Sequence, residues 1–215
     1  MPESKLDEVI KKCGFKNTYA SVVGIGSPFT LRDHTLAVLT LYRKYFESHH
    51  LPPQISQNFF EEMLILHDVG KPEAIQHGDK RLQHKFTIPL MNASAKLLNW
   101  SEPQLNIAIG LLNGDPIGSF LKQEIDISQA IRILNKMLKF SGLPKSSFLR
   151  AMTIYYQMDT ASYSTIGGVI SSLDFLYAWN EDHNAILWDA ENKYLQFSDN
   201  VDREFNKLIK EFDAS

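Results

Sequence analysis

The chain has 215 residues, of which 44% are hydrophobic and 22% are charged, and its formal net charge is −3. These values are ordinary for a globular protein of one domain, and they give no general electrostatic attraction to nucleic acid or acidic membranes. The single cysteine, Cys13, excludes an intrachain disulfide and a cysteine-rich zinc site. No apolar run approaches the ~18 residues of a membrane span, and the first residues lack an apolar signal core. We therefore expect a cytoplasmic protein without a membrane segment.

The first elements predicted are a short helix over residues 5–12 and a loop over 18–29. Thr30 then begins a clear helix, because Thr30 and Asp33 have the spacing of a capping-box variant. Four residues form the apolar stripe of this helix: His34, Val38, Leu41 and Tyr45. His34 therefore belongs to the face that the helix buries. A lone histidine on such a face is more often a core residue than a ligand.

The stretch from Met63 to Pro72 is the most informative part of the chain, because an apolar run ends there at His67-Asp68. Helical spacing from the preceding apolar residues places His67 on the buried face of a helix. Gly70 fits the position just past the end of that helix, and Pro72 prevents its continuation. Two metal-binding side chains would thus lie where a buried helix opens into a loop. The alternative is a solvated aspartate beside a satisfied core histidine.

A polar, cationic segment follows, with a loop predicted over residues 76–85. The cations of this region are Lys71, Lys80, Arg81 and Lys85. A helix is predicted over about 87–99, with Pro89 tolerable only in its first turn. His84 would lie just before this helix or among its first residues. The charges either face a ligand or belong to a solvated loop.

Two further helices are predicted before the next unusual residue. Ser101 and Gln104 cap the first, which stops at the turn Asn113-Gly114-Asp115-Pro116. Most such turns are structural, although this one could present Asp115 to a ligand. The second helix spans about 127–140 and ends at Gly142.

Asp159 stands out in the helix predicted over about 146–163. Apolar residues at helical spacing share its face: Leu149, Met152, Tyr156 and Tyr163. Burying a bare carboxylate is expensive, so Asp159 should be paired, hydrogen-bonded or bound to metal.

The last part of the chain changes character. Residues 185–188 and 193–197 flank a polar turn and predict a small β-hairpin. Ser198 then caps an amphipathic final helix. Together these patterns predict an all-α helical bundle with a small hairpin and a final helix near the C-terminus.

The order His34, His67-Asp68, Asp159 resembles the pattern of the HD superfamily of metal-dependent phosphohydrolases, and the Gly70-Lys71-Pro72 tail strengthens that likeness. The resemblance implies a helical metal-binding core over residues 30–165. Residues 1–29 would be an N-terminal helix and loop packed on this core, and 166–215 a C-terminal extension of the same domain.

By this resemblance, His34, His67, Asp68 and Asp159 would bind a divalent metal cation (Mn, Mg, Co, Ni, Fe or Zn). The resemblance also implies that Lys71 neutralises phosphate charge and that His84 faces a second metal or the substrate phosphate. The local positive charge adds Arg81 and Lys85 to Lys71 and His84 as substrate-binding residues. Asp68 and Lys71 would act in catalysis. The chain departs from many family members, because no histidine lies between His84 and His183. We therefore expect one firmly held metal and a second that is weak or absent.

The implied function is hydrolysis of a phosphate ester, a nucleotide or related small metabolite, by water that the metal activates. The main alternative is a non-catalytic regulatory module of the HD fold that binds a nucleotide or a protein partner. A di-iron oxygenase on the same fold is disfavoured by the shortage of histidines. We expect a small-molecule substrate, no membrane and no nucleic acid, with a homo-oligomer left open.

Overall fold

The computed structural model describes residues 1–23, 29–46, 51–79, 82–168 and 172–215. The predicted all-α class is confirmed. The helices are α1 (Pro2–Cys13), α2 (Lys16–Tyr19), α3 (Leu31–Tyr45), α4 (Gln57–Leu66), α5 (Lys71–Gln76), α6 (Gln83–Leu98), α7 (Glu102–Leu112), α8 (Pro116–Leu121), α9 (Ile127–Ser141), α10 (Lys145–Ala161) and α11 (Asp199–Ala214). Short 3₁₀ turns span Thr165–Gly167 and Asp174–Leu176.

Helix α3 begins where its capping box predicts. The Thr30 hydroxyl accepts the backbone N–H of Asp33, and the Asp33 carboxylate accepts the backbone N–H of Thr30. This reciprocal pair satisfies two of the backbone donors that a helix N-terminus leaves free. Helix α3 then packs against α1, α4 and α10, and His34 and Val38 are completely buried at these contacts.

Helix α4 is the central helix, because every residue from Phe59 to Leu66 is buried. Because α4 is buried on all sides, its two acidic residues need oppositely charged or hydrogen-bonding partners. Glu61 accepts two hydrogen bonds from Arg43, at 2.7 and 2.8 Å. Glu62 accepts hydrogen bonds from Lys5 and from the Trp100 indole, at 2.8 and 2.7 Å. These ion pairs and hydrogen bonds fix the position of α4, whose last residue directly precedes His67.

Two prolines lie inside helices at positions where the sequence predicts a loop or a helix start. Pro72 follows the end of α4, as expected, but it also lies in the first turn of a new short helix, α5, where the missing N–H would have no helical partner. Helix α6 begins at Gln83 rather than near residue 87, so Pro89 lies inside it. The carbonyl that Pro89 leaves without its helical bond belongs to Lys85, an exposed residue, so solvent can satisfy it.

The C-terminal region contains the predicted hairpin and final helix. Strands β1 (Trp188–Asp189) and β2 (Tyr194–Leu195) pair antiparallel, and α11 packs on α8 and α9. One hydrophobic core joins this region to the N-terminal helix, because Leu6 of α1 and Leu208 of α11 both belong to it. In the described part of the chain, no helix is both long and apolar enough to cross a membrane.

Candidate metal centre

Three helices bring four metal-competent side chains to one point. His34 lies in the first turn of α3, His67 and Asp68 lie in the turn directly after α4, and Asp159 lies near the end of α10. One ligand atom from each of these residues can be chosen so that all four lie within 4.8 Å of one another. The cluster can therefore hold a metal ion.

The hydrogen bonds behind the two imidazoles determine which nitrogen faces the cluster. His67 Nδ1 lies 2.6 Å from the Leu64 carbonyl oxygen, so this nitrogen carries a proton and donates it. The Ser162 hydroxyl donates to the Asp159 carbonyl oxygen at 2.5 Å, so it must accept from His34 Nδ1 at 3.0 Å. In the neutral rings both Nε2 atoms then present lone pairs to the cluster, as metal-binding histidines do.

The two Nε2 atoms, of His34 and His67, lie only 3.0 Å apart. Two facing lone pairs at this distance repel each other, and a cation between them or a proton on one ring removes the repulsion. Two nitrogens that each lie about 2.1 Å from a shared ion are about 3.0 Å apart when the angle at the ion is about 90°. The separation therefore fits a metal ion. Burial opposes protonation of His67, but Asp68 and Asp159 outweigh it and raise the pKa of His67.

Asp159 supplies a buried oxygen that lacks a hydrogen bond. Its Oδ1 is inaccessible to solvent and accepts no hydrogen bond from any described group, which is costly for a carboxylate. Its nearest cationic or metal-binding neighbours include His34 Nε2 at 3.3 Å and His67 Nε2 at 3.5 Å. Burial opposes ionisation, but the imidazoles outweigh it and lower the pKa of Asp159. A metal ion would satisfy this oxygen.

Asp159 is also the open side of the cluster. Its side chain is 30% exposed, whereas the side chains of His34, His67 and Asp68 are at most 1% exposed. The expected burial of Asp159 is thus partial: its Oδ1 is buried, while the side chain as a whole keeps 30% of its surface exposed. A ligand from solvent would reach the cluster past Asp159.

Asp68 is held rigidly by two side chains. Lys71 Nζ donates to its Oδ2 at 2.5 Å, and Gln83 Nε2 donates to its Oδ1 at 2.9 Å. Burial raises the pKa of Asp68, but Lys71 and the two imidazoles outweigh burial and hold that pKa well below its ordinary value. The carboxylate is therefore ionised and oriented, as a metal ligand requires. Gln83 carries no sequence signal of this role, because its contact depends on how α6 packs.

Gly70 brings the turn that carries Asp68 against α6. Its backbone N–H donates to the Thr87 hydroxyl at 3.1 Å. A Cβ on Gly70 would lie 2.3 Å from the Thr87 nitrogen. Its φ of −88° is open to any residue, so the close approach, rather than a helix-ending conformation, requires glycine here.

Aromatic rings pack against the two imidazoles of the cluster. Tyr163 stacks on the His34 ring at a centroid distance of 4.7 Å, and Phe29 contacts the His34 and Tyr163 rings edge-on at 6.2 and 6.3 Å. Tyr155 approaches the His67 ring edge-on at 5.9 Å. These contacts fix the orientation of the two imidazoles.

The residues predicted to bind substrate are distributed more widely. The Lys71 ammonium lies in the cluster, against Asp68. His84 is half-buried in the first turn of α6, and Lys85 is exposed. Arg81 and Lys80 lie outside the described residues. Asp115, a possible extra ligand by its turn, caps α8 by accepting the N–H of Gly118 at 2.8 Å and is not one of the four clustered residues.

Comparisons of the chain with protein-family models, curated proteins and solved structures found no match.

Proposed function

We propose that this protein is a metal-dependent phosphohydrolase of the HD type that acts on a phosphate ester, a nucleotide or related small metabolite, in the cytoplasm. The observation that supports this most is the convergence of two imidazole nitrogens and two carboxylates within 4.8 Å. Two nitrogen and two oxygen ligands suit a borderline or hard divalent cation, such as Mn, Co, Ni, Fe, Zn or Mg, and leave coordination positions open. We propose one resident metal, because the described residues contain a single cluster of metal-competent side chains.

When bound, such a cation lowers the pKa of a bound water towards ~7 and polarises a phosphoryl oxygen. The residues around it have separate tasks in the proposed reaction. His34 and His67 hold the cation from the buried side, while Gln83 and Lys71 keep Asp68 oriented. Asp159, the one of the four whose side chain is substantially exposed, would hold the cation at the edge that water and substrate reach. Lys71 offsets charge on the phosphoryl oxygens.

The direct test is a hydrolysis screen with a matched pair of variants. Purified protein loaded with Mn²⁺, Co²⁺ or Mg²⁺ is expected to release phosphate or alcohol from at least one member of a broad phosphoester panel. His67→Ala should abolish both metal binding and turnover, since it removes a ligand. His77→Ala, which changes an exposed histidine of the same chain, should leave both unchanged. A fully metal-loaded protein that hydrolyses nothing on the panel would refute the hydrolase.

One observation favours the non-catalytic alternative, a regulatory module that binds a nucleotide or protein partner. Both oxygens of Asp68 already accept hydrogen bonds, from Lys71 and Gln83, so this carboxylate is satisfied without a metal. A module that uses the cluster only for stability would lose stability in Asp159→Ala. An enzyme would lose metal and turnover first, because that side chain lies at the open edge of the cluster. Metal content and melting temperature of this variant separate the two.

A further inference from the structure

Lys71 and Tyr163 form a linked pair beside the metal ligands. Lys71 Nζ lies 2.7 Å from the Tyr163 hydroxyl and 2.5 Å from Asp68 Oδ2. Lys71 has three N–H donors and no acceptor, so it donates to both oxygens. The lysine side chain is 11% exposed, so it is not completely enclosed by protein.

The pair is held in place from several directions. The Tyr163 ring stacks on the His34 ring and contacts Phe29 edge-on, and the Lys71 ammonium also lies 5.3 Å from the centre of the Tyr163 ring. Lys71 begins α5, directly after the turn that carries Asp68. Both side chains are therefore positioned by the same packing that positions the metal ligands.

Two donors of this pair, one on each side chain, have no acceptor among the described residues. Because the Tyr163 oxygen accepts from Lys71, its own O–H points elsewhere, and among the described residues it has no acceptor. The third N–H of Lys71 likewise has no acceptor among them. A phenol O–H and an ammonium N–H, on atoms 2.7 Å apart, can each bind a different oxygen of one phosphoryl group.

We propose that Tyr163 and Lys71 together form a two-donor anchor for the phosphoryl group, with Tyr163 as a substrate-binding residue and not only a support for His34. This inference rests on the proposed function, because it assumes an anionic phosphoryl ligand beside the metal. Donors fixed before the ligand arrives bind it without further ordering, so the anchor would favour phosphoryl oxygens over neutral groups.

The test is titration calorimetry of the Mn²⁺-loaded full chain with inorganic phosphate. Tyr163→Phe keeps the ring that stacks on His34 and removes only the hydroxyl. It is expected to weaken phosphate binding about tenfold, as for loss of a hydrogen bond to a charged group, while metal content and melting temperature stay unchanged. Tyr42→Phe is the matched control: Tyr42 is buried in α3, and its hydroxyl has no hydrogen-bond partner among the described residues. This variant should bind phosphate as the wild-type protein does.

Several outcomes would overturn the anchor. These are unchanged phosphate affinity in Tyr163→Phe, loss of metal in that variant, and a wild-type protein that binds no phosphate. A measurement without substitution covers the case in which the variant fails to fold. In Mg²⁺-loaded wild-type protein labelled with [ζ-¹³C]tyrosine, phosphate should shift a tyrosine resonance, and a separate Mn²⁺-loaded sample identifies that resonance as close to the metal because it is broadened there. No shift would count against the anchor.

The same experiments keep the anchor and the hydrolase distinguishable. A protein that turns over no phosphoester but loses phosphate affinity in Tyr163→Phe would refute the hydrolase and support the anchor. An active enzyme whose phosphate affinity is unchanged by Tyr163→Phe would support the hydrolase and refute the anchor.

Discussion

Substituting Gly70 by alanine should disturb the metal centre without touching a ligand. A Cβ at this position would lie 2.3 Å from the Thr87 nitrogen and 2.6 Å from the Phe86 carbonyl carbon. Both are backbone atoms of α6, so no side-chain rotation relieves the overlap. Because ordinary contact between carbon atoms needs about 3.5–4.0 Å, the turn and α6 must separate by about 1 Å.

The magnitude follows from opposing effects. At a φ of −88°, which alanine adopts freely, Gly→Ala alone would stabilise the protein by about 0.4–1 kcal/mol through the unfolded chain. Overpacking costs about 1–3 kcal/mol or more, and loss of the hydrogen bond from Gly70 to Thr87 adds about 1–3 kcal/mol. We expect a net loss of about 2–4 kcal/mol in the free energy of unfolding, which lowers the melting temperature by roughly 5–15 °C.

The substitution should also weaken metal binding. The turn after α4 carries Asp68 and α6 carries Gln83, so their separation stretches the 2.9 Å hydrogen bond between them. We expect about tenfold lower metal affinity, as for loss of an outer partner of a ligand. Thermal unfolding of the metal-free protein and a metal titration measure the two effects separately.

Gly14→Ala is the control for this experiment. Apart from its own chain neighbours, no described residue has an atom within 4 Å of a Cβ at Gly14, whose φ is +74°. The cost of this substitution is therefore the strain of the left-handed conformation, about 1–2 kcal/mol, with no change in metal affinity. A Gly70→Ala protein with wild-type melting temperature would refute the steric argument. A destabilised variant with wild-type metal affinity would refute the link between this contact and the metal centre.

Three further predictions concern side chains that hold the fold or the cluster. Gln83→Ala should lower metal affinity about tenfold by freeing Asp68 Oδ1, as isothermal titration would show, and unchanged affinity would remove Gln83 from the site. Glu62→Gln should cost about 2–3 kcal/mol in urea unfolding, because it removes the charge that pairs with Lys5 in a largely buried setting; a neutral result would mean that Lys5 escapes to solvent. Slight burial raises the pKa of Asp174, but hydrogen bonds from Thr165 outweigh it and the net pKa is lowered. Asp174 thus stabilises the fold above its unfolded pKa of about 3.9 and loses that effect as pH falls through the folded pKa, so Asp174→Asn should destabilise at pH 7 and progressively less below about pH 4.

Local patterns in the sequence were sufficient for much of the fold. The capping box at Thr30 correctly places the start of α3, and the box at Ser101 and Gln104 correctly places the start of α7. Such signals succeed because a cap or an apolar stripe is made by residues close in sequence. Helix α5 was missed, and the predicted start of α6 was wrong because Pro89 is tolerated inside the helix where the carbonyl it frees belongs to an exposed residue, and exposure depends on tertiary packing.

The residue types of the metal cluster were likewise readable from the sequence, since a histidine or carboxylate at an apolar position is conspicuous wherever the helix goes. Helical spacing placed His34 and His67 on buried faces, and both are fully buried. Helical spacing alone could not show their convergence with Asp159 within 4.8 Å, which was expected only from the family resemblance, because it joins side chains on three different helical segments. Only the packing of α3, α4 and α10 decides that distance.

The tertiary structure alone determined what surrounds the ligands. Gln83 on Asp68 and Tyr163 on Lys71 are ordinary polar residues whose roles come from long-range contacts. Gly70 illustrates the difference: its sequence position suggests the end of a helix, whereas the structure requires glycine because α6 passes too close for a side chain. Sequence determined which residues can bind a metal, because chemical type and helical face are local properties. Packing determined which atoms meet, because distances between helices depend on the whole core.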